Sequence, residues 1–219
     1  MSKLAHIVAI RRASLETEGK LGFGILDHEW SIDHTLDEGQ VWIAPRPVLE
    51  ESPDFVQPIP YIVIRRGDEV LAYERGAGGG DARLHSKVAI GFGGHVDGTD
   101  AHYTGDGIID LRKTMENACI RELEEELGIS FTGTMPDLRS KLVKWTHIIS
   151  ADDTPVDRVH IGLVAQIDVS ALPNIDPAKF EDVIENARFV SADGLFTDSV
   201  AGVVELETWT RLILSLPSS

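Results

Sequence analysis

The stretch RELEEELGI (121–129) is the feature that most constrains this chain of 219 residues. Four glutamates lie within five consecutive positions of it: Glu122, Glu124, Glu125 and Glu126. On a helix, like charges three and four positions apart repel each other by roughly 0.2–0.5 kcal/mol per pair. A bound cation would relieve that repulsion, so the pattern points to a site for positive charge.

The surrounding segment predicts an amphipathic helix, with Thr114 as its N-cap and Gly128 as its C-terminal stop. A helical wheel places an apolar stripe on one face and three glutamates on another, with Glu124 pointing elsewhere. The stripe consists of Ile120, Leu123 and Leu127, and the acidic face of Glu122, Glu125 and Glu126. Arg121 reaches Glu125 at i+4 and can orient it. Three converging carboxylates suit a hard divalent cation, which takes oxygen ligands.

Composition narrows the class of protein. A net charge of −16 and a pI near 4.8 argue against binding a nucleic-acid polymer, which needs a basic surface. The single cysteine, Cys119, excludes an internal disulfide framework. The first twenty residues lack the pattern of an export signal or a membrane span. We therefore expect a cytoplasmic protein without a membrane partner.

The order of predicted elements indicates a mixed α/β (α+β) fold with a mixed sheet. A hairpin is predicted at 61–64 and 70–73, and further strands over 87–92, 141–150 and 159–169, with a short strand and turn over 187–195. Helices are predicted over 177–187 and 203–216. Residues 1–52 are interpreted as an N-terminal extension packed on a main body of residues 53–219.

A glycine-rich stretch, GFGGHVDGTD (91–100), precedes the acidic helix. Together the two resemble the Nudix box, which reads Gly, five residues, Glu, seven residues, Arg-Glu-apolar-x-Glu-Glu-x-Gly-apolar. The half from Arg121 to Ile129 matches at every fixed position. The first half matches from Gly94, but Asp100 stands in place of Glu, and twenty residues rather than seven precede Arg121. We infer a loop insertion at about 101–113 within a box spanning 93–129.

The resemblance extends beyond the box. The stretches QPIPYIVI, LAYERG and VHIGLV are similar to a little-characterised branch described as predicted MutT-type phosphoesterases. The superfamily resemblance implies an α/β/α sandwich and a hydrolase that acts on phosphorus-containing acid anhydrides. It leaves the oligomeric state open, with a homodimer as one option.

In the Nudix family the box helix holds Mg²⁺ or Mn²⁺ against a diphosphate. Carried over, Glu125 and Glu126 are the principal metal ligands, and the Gly93 carbonyl adds an oxygen. Glu122 is a further ligand or the base that activates water, and Arg121 holds the glutamates in place. An additional acidic ligand or base is also expected, with three candidates: Asp100, Glu181 and Glu185.

Basic groups are needed for the rest of an anionic substrate. Arg75, Arg83 and Lys87 flank the strands that lead into the box, and His95 follows its glycines. His160, within VHIGL, is interpreted instead as a hydrogen-bonded sheet residue. GAGGGD (76–81) lacks the Gly-Lys-Ser/Thr of a phosphate-binding P-loop.

Three functional hypotheses follow. The first is a metal-dependent pyrophosphohydrolase that cleaves a nucleoside diphosphate linked to another moiety. The second is a Nudix-fold binding or regulatory module without turnover. The third, an isomerase of isoprenoid diphosphates, needs a cysteine–glutamate pair, and the sole Cys119 lies on the apolar side of the helix. The sequence does not identify the substrate.

Overall fold

A mixture of β-strands and a few α-helices makes up the fold, as the sequence predicts. The computed structural model describes residues 5–15, 22–26, 29–38, 40–76, 86–131, 143–154 and 156–216. In these ranges the strands are β1 His6–Arg11, β2 Gly24–Leu26, β3 Val41–Pro45, β4 Phe55–Arg66, β5 Glu69–Arg75, β6 Val88–Ala89, β7 Gly91–Phe92, β8 Lys144–Ser150, β9 His160–Asp168 and β10 Ile184–Ser191. The helices are α1 Glu29–Glu38, α2 Arg46–Glu50, α3 Leu111–Leu127, α4 Ala192–Val200 and α5 Thr208–Leu214.

The chain divides into two compact units. Unit 1 comprises Met1–Tyr61, Gly93–Ile120 and Trp145–Ala165, and unit 2 comprises Ile62–Phe92, Arg121–Lys144 and Gln166–Ser219. No helix in the described part of the chain is long and apolar enough to cross a membrane.

In unit 1, strand β1 is buried on both faces. It pairs antiparallel with β3, from His6↔Pro45 to Ile10↔Val41, and its end pairs with β4 at Ile10↔Val56. Its two faces serve different apolar clusters. Val8 and Ile10 join the main cluster, which also includes Leu111, Met115, Ile148, Ile161 and Leu163. Ile7 and Ala9 pack with Leu49 of α2 on the other face.

Unit 2 is organised around β5, which pairs with three other strands. Its start forms the predicted hairpin with β4, closed at Arg66↔Glu69, and β6 pairs with its end at Tyr73↔Ala89. Strand β10 runs antiparallel along it, from Ile184↔Arg75 to Ser191↔Glu69. Strand β7 pairs with β4 at Val63↔Gly91.

Several predicted elements are wrong in type or extent. Residues 177–187 do not form a helix: Pro177–Lys179 is a short 3-10 turn and Ile184 begins β10, because this segment pairs with β5. The predicted turn over 192–195 is the start of α4. The terminal helix is shorter than expected, since α5 begins only at Thr208.

The box helix also begins earlier than predicted. Thr114 is not the N-cap but lies inside α3, where its hydroxyl donates to the carbonyl of Asp110 at 2.7 Å. The carboxylate of Asp110 caps the helix instead, since it accepts from the backbone N–H of Lys113 at 3.0 Å. The domain boundary predicted at residue 52 stays a prediction.

Candidate metal centre

The predicted two-faced character of α3 is present in the structure. Ile120, Leu123 and Leu127 are buried, as the helical wheel predicts. The carboxylate residues Glu122 and Glu126, one turn apart, are only 5% and 9% exposed. Burying two like charges is costly unless positive charge or hydrogen bonds compensate them. The last turns of α3 therefore place acidic side chains where a charge partner is required.

Arg121 supplies one such partner. Its Nη1 lies 2.8 Å from Glu122 Oε1 and 3.0 Å from Glu125 Oε2, so one guanidinium holds two box carboxylates. The i+4 pairing with Glu125 confirms the sequence-based prediction. Glu125 is the more accessible of the two, with 54% of its side chain exposed. Glu124 is exposed and accepts from the Phe131 N–H at 3.2 Å, away from this pair.

The donor chemistry of this face fits Mg²⁺ or Mn²⁺, because both ions prefer oxygen ligands and Glu122, Glu125 and Glu126 offer three carboxylates on one face of the helix. These side chains do not form a preformed metal-binding cluster, however. Within the described ranges, no group of three or more His, Cys, Asp or Glu side chains is arranged to hold a metal. Glu122 and Glu125 instead close on Arg121.

Gly128 ends the box helix in a position that only glycine fills without strain. Its φ is +59°, in the left-handed region that disfavours residues with a Cβ. A Cβ there would also lie 2.7 Å from Lys179 Cβ and 2.8 Å from Lys179 O. Two residues after Lys179, the Glu181 N–H donates to the carbonyl of Glu126 at 2.9 Å. The segment 179–181 is thereby fastened to the end of α3.

Gly93, in unit 1, is equally constrained. Its φ is +139°, and a Cβ would overlap the carbonyl oxygen of Pro60. The position therefore requires glycine whether or not its own carbonyl contacts a metal. The role of that carbonyl as a ligand stays a prediction.

Asp100 has a structural partner of its own. It is buried, and its Oδ2 accepts from the backbone N–H of Asp97 at 2.8 Å while the Asp97 carboxylate accepts from the Asp100 N–H. This reciprocal pair caps the 3-10 turn Gly98–Asp100. Asn117 of α3 donates to the Asp100 carbonyl at 2.8 Å, which ties the turn to the helix within unit 1. These contacts explain a short acidic side chain at this position without a metal.

The inferred insertion contains a small closed hairpin. Residues 102–110 turn back on themselves, with a bridge between Tyr103 and Ile109 and a hydrogen bond from the Asp110 N–H to the His102 carbonyl at 2.9 Å. Leu111, which follows the hairpin, is buried in the main cluster of unit 1. The extra residues are therefore ordered, and they lead directly into α3.

His95 and His160 form a hydrogen-bonded pair in unit 1. Their Nε2 atoms are 3.0 Å apart, and His160 Nδ1 lies 2.6 Å from the Val156 carbonyl. Desolvation, with smaller effects of His160 and Arg46, lowers the pKa of His95 to about 3, and desolvation also lowers the pKa of His160. Because a carbonyl only accepts, neutral His160 donates a hydrogen bond from Nδ1 to Val156. Its Nε2 then carries no hydrogen and accepts a hydrogen bond from the Nε2–H of His95. The Nε2–H of His95 is thus engaged with His160, the sheet residue that the sequence predicts.

The remaining predicted residues are dispersed. Arg75, in β5, is paired with Glu207 at 2.6 Å rather than standing alone. Glu181 and Glu185 are exposed and share no helical face, since the predicted helix is absent. Glu185 lies against the end of β5, where a Cβ on Gly76 would overlap its Oε1. Arg83 lies outside the described residues.

Sequence reasoning missed the partner of Arg75. Glu207 is 132 positions away along the chain and lies at the N-cap of α5. No local spacing links the two residues.

Comparisons with known proteins support the sequence resemblance. No protein-family model matches the chain. Protein YmaB of Bacillus subtilis (strain 168) is 32% identical over 167 residues, which cover 76% of this chain and 73% of YmaB. Tm1382, considered to be a Nudix hydrolase, has a similar structure with a TM-score of 0.66 over 96% of both chains at 21% identity. A NUDIX hydrolase from Alicyclobacillus acidocaldarius gives a TM-score of 0.50 over 73% of this chain and 89% of that chain at 16% identity.

The likeness to Tm1382 shows that the chain has the predicted Nudix fold. The chain belongs to the family that it shares with YmaB, and its fold is that of the Nudix hydrolases. The narrower resemblance to the MutT-type phosphoesterase branch stays a prediction.

Proposed function

We propose that the chain is a hydrolase dependent on Mg²⁺ or Mn²⁺ that cleaves a pyrophosphate bond in a nucleoside diphosphate linked to another moiety. The observation that carries the proposal is the acidic face of α3, where buried Glu122 and Glu126 flank Glu125 and Arg121 holds two of the three. The Nudix fold and the match of residues 121–129 to the Nudix box support it, because Nudix hydrolases generally use divalent metals.

The side chains of this face have different roles in the proposed reaction. Glu122, Glu125 and Glu126 hold the metal, which when bound supplies charge for the diphosphate and acidifies a water. Glu122, the most buried of the three, serves as a further metal ligand or as the general base that takes a proton from that water. Arg121 limits the rotation of Glu122 and Glu125 and is a positioning residue. Gly93 is a proposed additional ligand through its carbonyl.

The experiment measures hydrolysis of a dinucleotide, a nucleotide-sugar and a nucleoside triphosphate with Mg²⁺ or Mn²⁺. We expect turnover of at least one diphosphate-linked nucleotide and its loss with a chelator. Glu122→Gln, Glu125→Gln and Glu126→Gln should each reduce kcat/KM by about 100-fold or more. Glu124→Gln is the matched control, since Glu124 lies on the same helix but away from the acidic face, and it should stay within about twofold of the wild type.

Two results would contradict the proposal. Equal activity of Glu125→Gln and Glu124→Gln would remove the metal assignment. Tight binding of these ligands without hydrolysis would instead indicate the alternative, a ligand-binding or regulatory module.

A further inference from the structure

Arg75 is the centre of a partly buried polar network in unit 2. Its Nε donates to Glu207 Oε1 at 2.6 Å, and its Nη2 donates to the Tyr73 hydroxyl at 3.0 Å. The Tyr73 hydroxyl donates in turn to the Gly91 carbonyl at 2.9 Å. The Arg75 guanidinium is therefore fixed on two sides, and a free surface cation suited to capturing substrate would not be held in this way.

The same guanidinium acts electrostatically on the box helix. Burial alone disfavours the charged form of Arg75, but Tyr73, Glu207 and Glu126 outweigh it and raise the pKa of Arg75. Arg75 and Glu126 therefore attract each other electrostatically. Glu126 is a proposed metal ligand, so the charge of Arg75 opposes a cation bound there.

A short backbone connection links the strand that carries Arg75 to the helix that carries Glu126. The Glu181 N–H donates to the Glu126 carbonyl at 2.9 Å, and the Gly76 N–H donates to the Val183 carbonyl at 2.9 Å. Ile184 then pairs with Arg75 in the β10–β5 ladder. A span of four residues thereby links the last turn of α3 to the end of β5, independently of the side-chain network.

We propose that Arg75 is a positioning residue whose guanidinium, held by Glu207 and Tyr73, sets the local charge at Glu126 and so tunes metal affinity. The inference rests on the metal site of the proposed function. It replaces the expectation that Arg75 contacts substrate. Glu207 has the opposite effect on the same site, because it neutralises the Arg75 charge that the metal would otherwise meet.

The test compares variants that change the net charge near Glu126 in opposite directions. Removing the cation in Arg75→Met should tighten Mn²⁺ binding about three- to tenfold, and removing its counter-charge in Glu207→Gln should weaken it by a similar factor. The double variant restores the net charge and should return the dissociation constant to near the wild-type value. Arg75→Lys keeps the charge and should also bind Mn²⁺ like the wild type. Mn²⁺ titration followed by electron paramagnetic resonance gives these constants, with Glu126→Gln defining the specific site.

Each alternative gives a different pattern. A merely structural network predicts that both single variants weaken binding and that the double variant does not recover. A substrate contact predicts an unchanged Mn²⁺ constant in Arg75→Met with a raised KM. Should Arg75→Met fail to fold by circular dichroism, Glu207→Gln and Arg75→Lys still decide, because only the former should change Mn²⁺ affinity. Failure of the wild type to bind Mn²⁺ would count against the proposed function itself, whereas normal wild-type binding with unchanged variants would overturn this inference alone.

Discussion

Gly128 illustrates how a single box residue is constrained by backbone and packing together. Its φ of +59° excludes most residues on conformational grounds, and the close approach of Lys179 leaves no room for a methyl group. Gly67 has the same φ of +59°, but nothing lies within 4 Å of the position of its absent Cβ. The two glycines therefore separate backbone strain from steric conflict.

We predict that Gly128→Ala lowers the free energy of unfolding by about 2–4 kcal/mol, because strain and overlap add. Gly67→Ala should cost only about 1–2 kcal/mol, from strain alone. Urea denaturation followed by circular dichroism measures both. Equal losses in the two variants would show that the Lys179 contact has no energetic effect.

The predictable contacts at the residue scale are local ones. The pairing of Arg121 with Glu125 follows from i+4 spacing, and the burial of Leu123 follows from helical periodicity. The Arg75–Glu207 pair does not follow, because it depends on the end of β5 and the start of α5 meeting in space. Asp100 is an intermediate case. Its capping partner, Asp97, is only three residues away, but the match to the box motif suggests a metal ligand rather than a helix cap.

Among the elements, α3 depends on what happens at its first turn. Asp110 closes the inserted hairpin through its N–H and caps the helix through its carboxylate. Its carboxylate also pairs with Lys113 Nζ at 3.3 Å. Burial by itself raises the pKa of Asp110, but the hydrogen bonds and charge of Lys113 outweigh it and hold the pKa below its ordinary value.

Since the folded-state pKa of Asp110 is depressed, its stabilising effect is complete above the unfolded value near 3.8 and is lost as the pH falls through the folded value. At pH 7 we expect Asp110→Ala to cost about 1 kcal/mol, and the difference from the wild type should shrink on acidification below pH 3.8. Asp110→Asn retains a capping oxygen and should cost less. Urea denaturation at pH 7 and pH 3 tests this, and a cost that grew at low pH would be inconsistent with the capping role.

The misassigned helix over 177–187 shows what local pattern cannot determine. Its composition permits a helix, but residues from Ile184 onward complete hydrogen bonds along β5. Asn186 adopts a φ of +53° where the register shifts between Glu185 and Arg188, a conformation incompatible with a regular helix. Tertiary pairing therefore overrides local propensity here, as is common for strands.

For the molecule as a whole, the N-terminal region has a larger structural role than the word extension suggests. Val8 and Ile10 belong to the main apolar cluster of unit 1, and Arg112 of α3 is paired with both Asp33 and Asp37 of α1. The likeness to Tm1382 covers nearly the whole of both chains, so the shared fold is not limited to the box and its flanking strands.

We predict that a chain reduced to residues 53–219 loses cooperative thermal unfolding, since unit 1 would lose β1 and its apolar contacts. The lesser change Ile10→Val should cost about 1 kcal/mol and preserve the cooperative transition. Thermal melting followed by circular dichroism compares both with the full chain. A truncated chain that melts as sharply as the full one would show that residues 1–52 are dispensable for folding.

The hairpin over 102–110 has a consequence for the ancestry of such sequences. Because its two ends meet at His102 and Asp110, residues can be gained or lost at its tip without changing where α3 starts. A motif defined by the number of residues between the two halves of the box fails at such a point. The same motif defined by distances between residues in the folded protein need not fail. A loop of another length could therefore join the same helix while its glutamates keep their register.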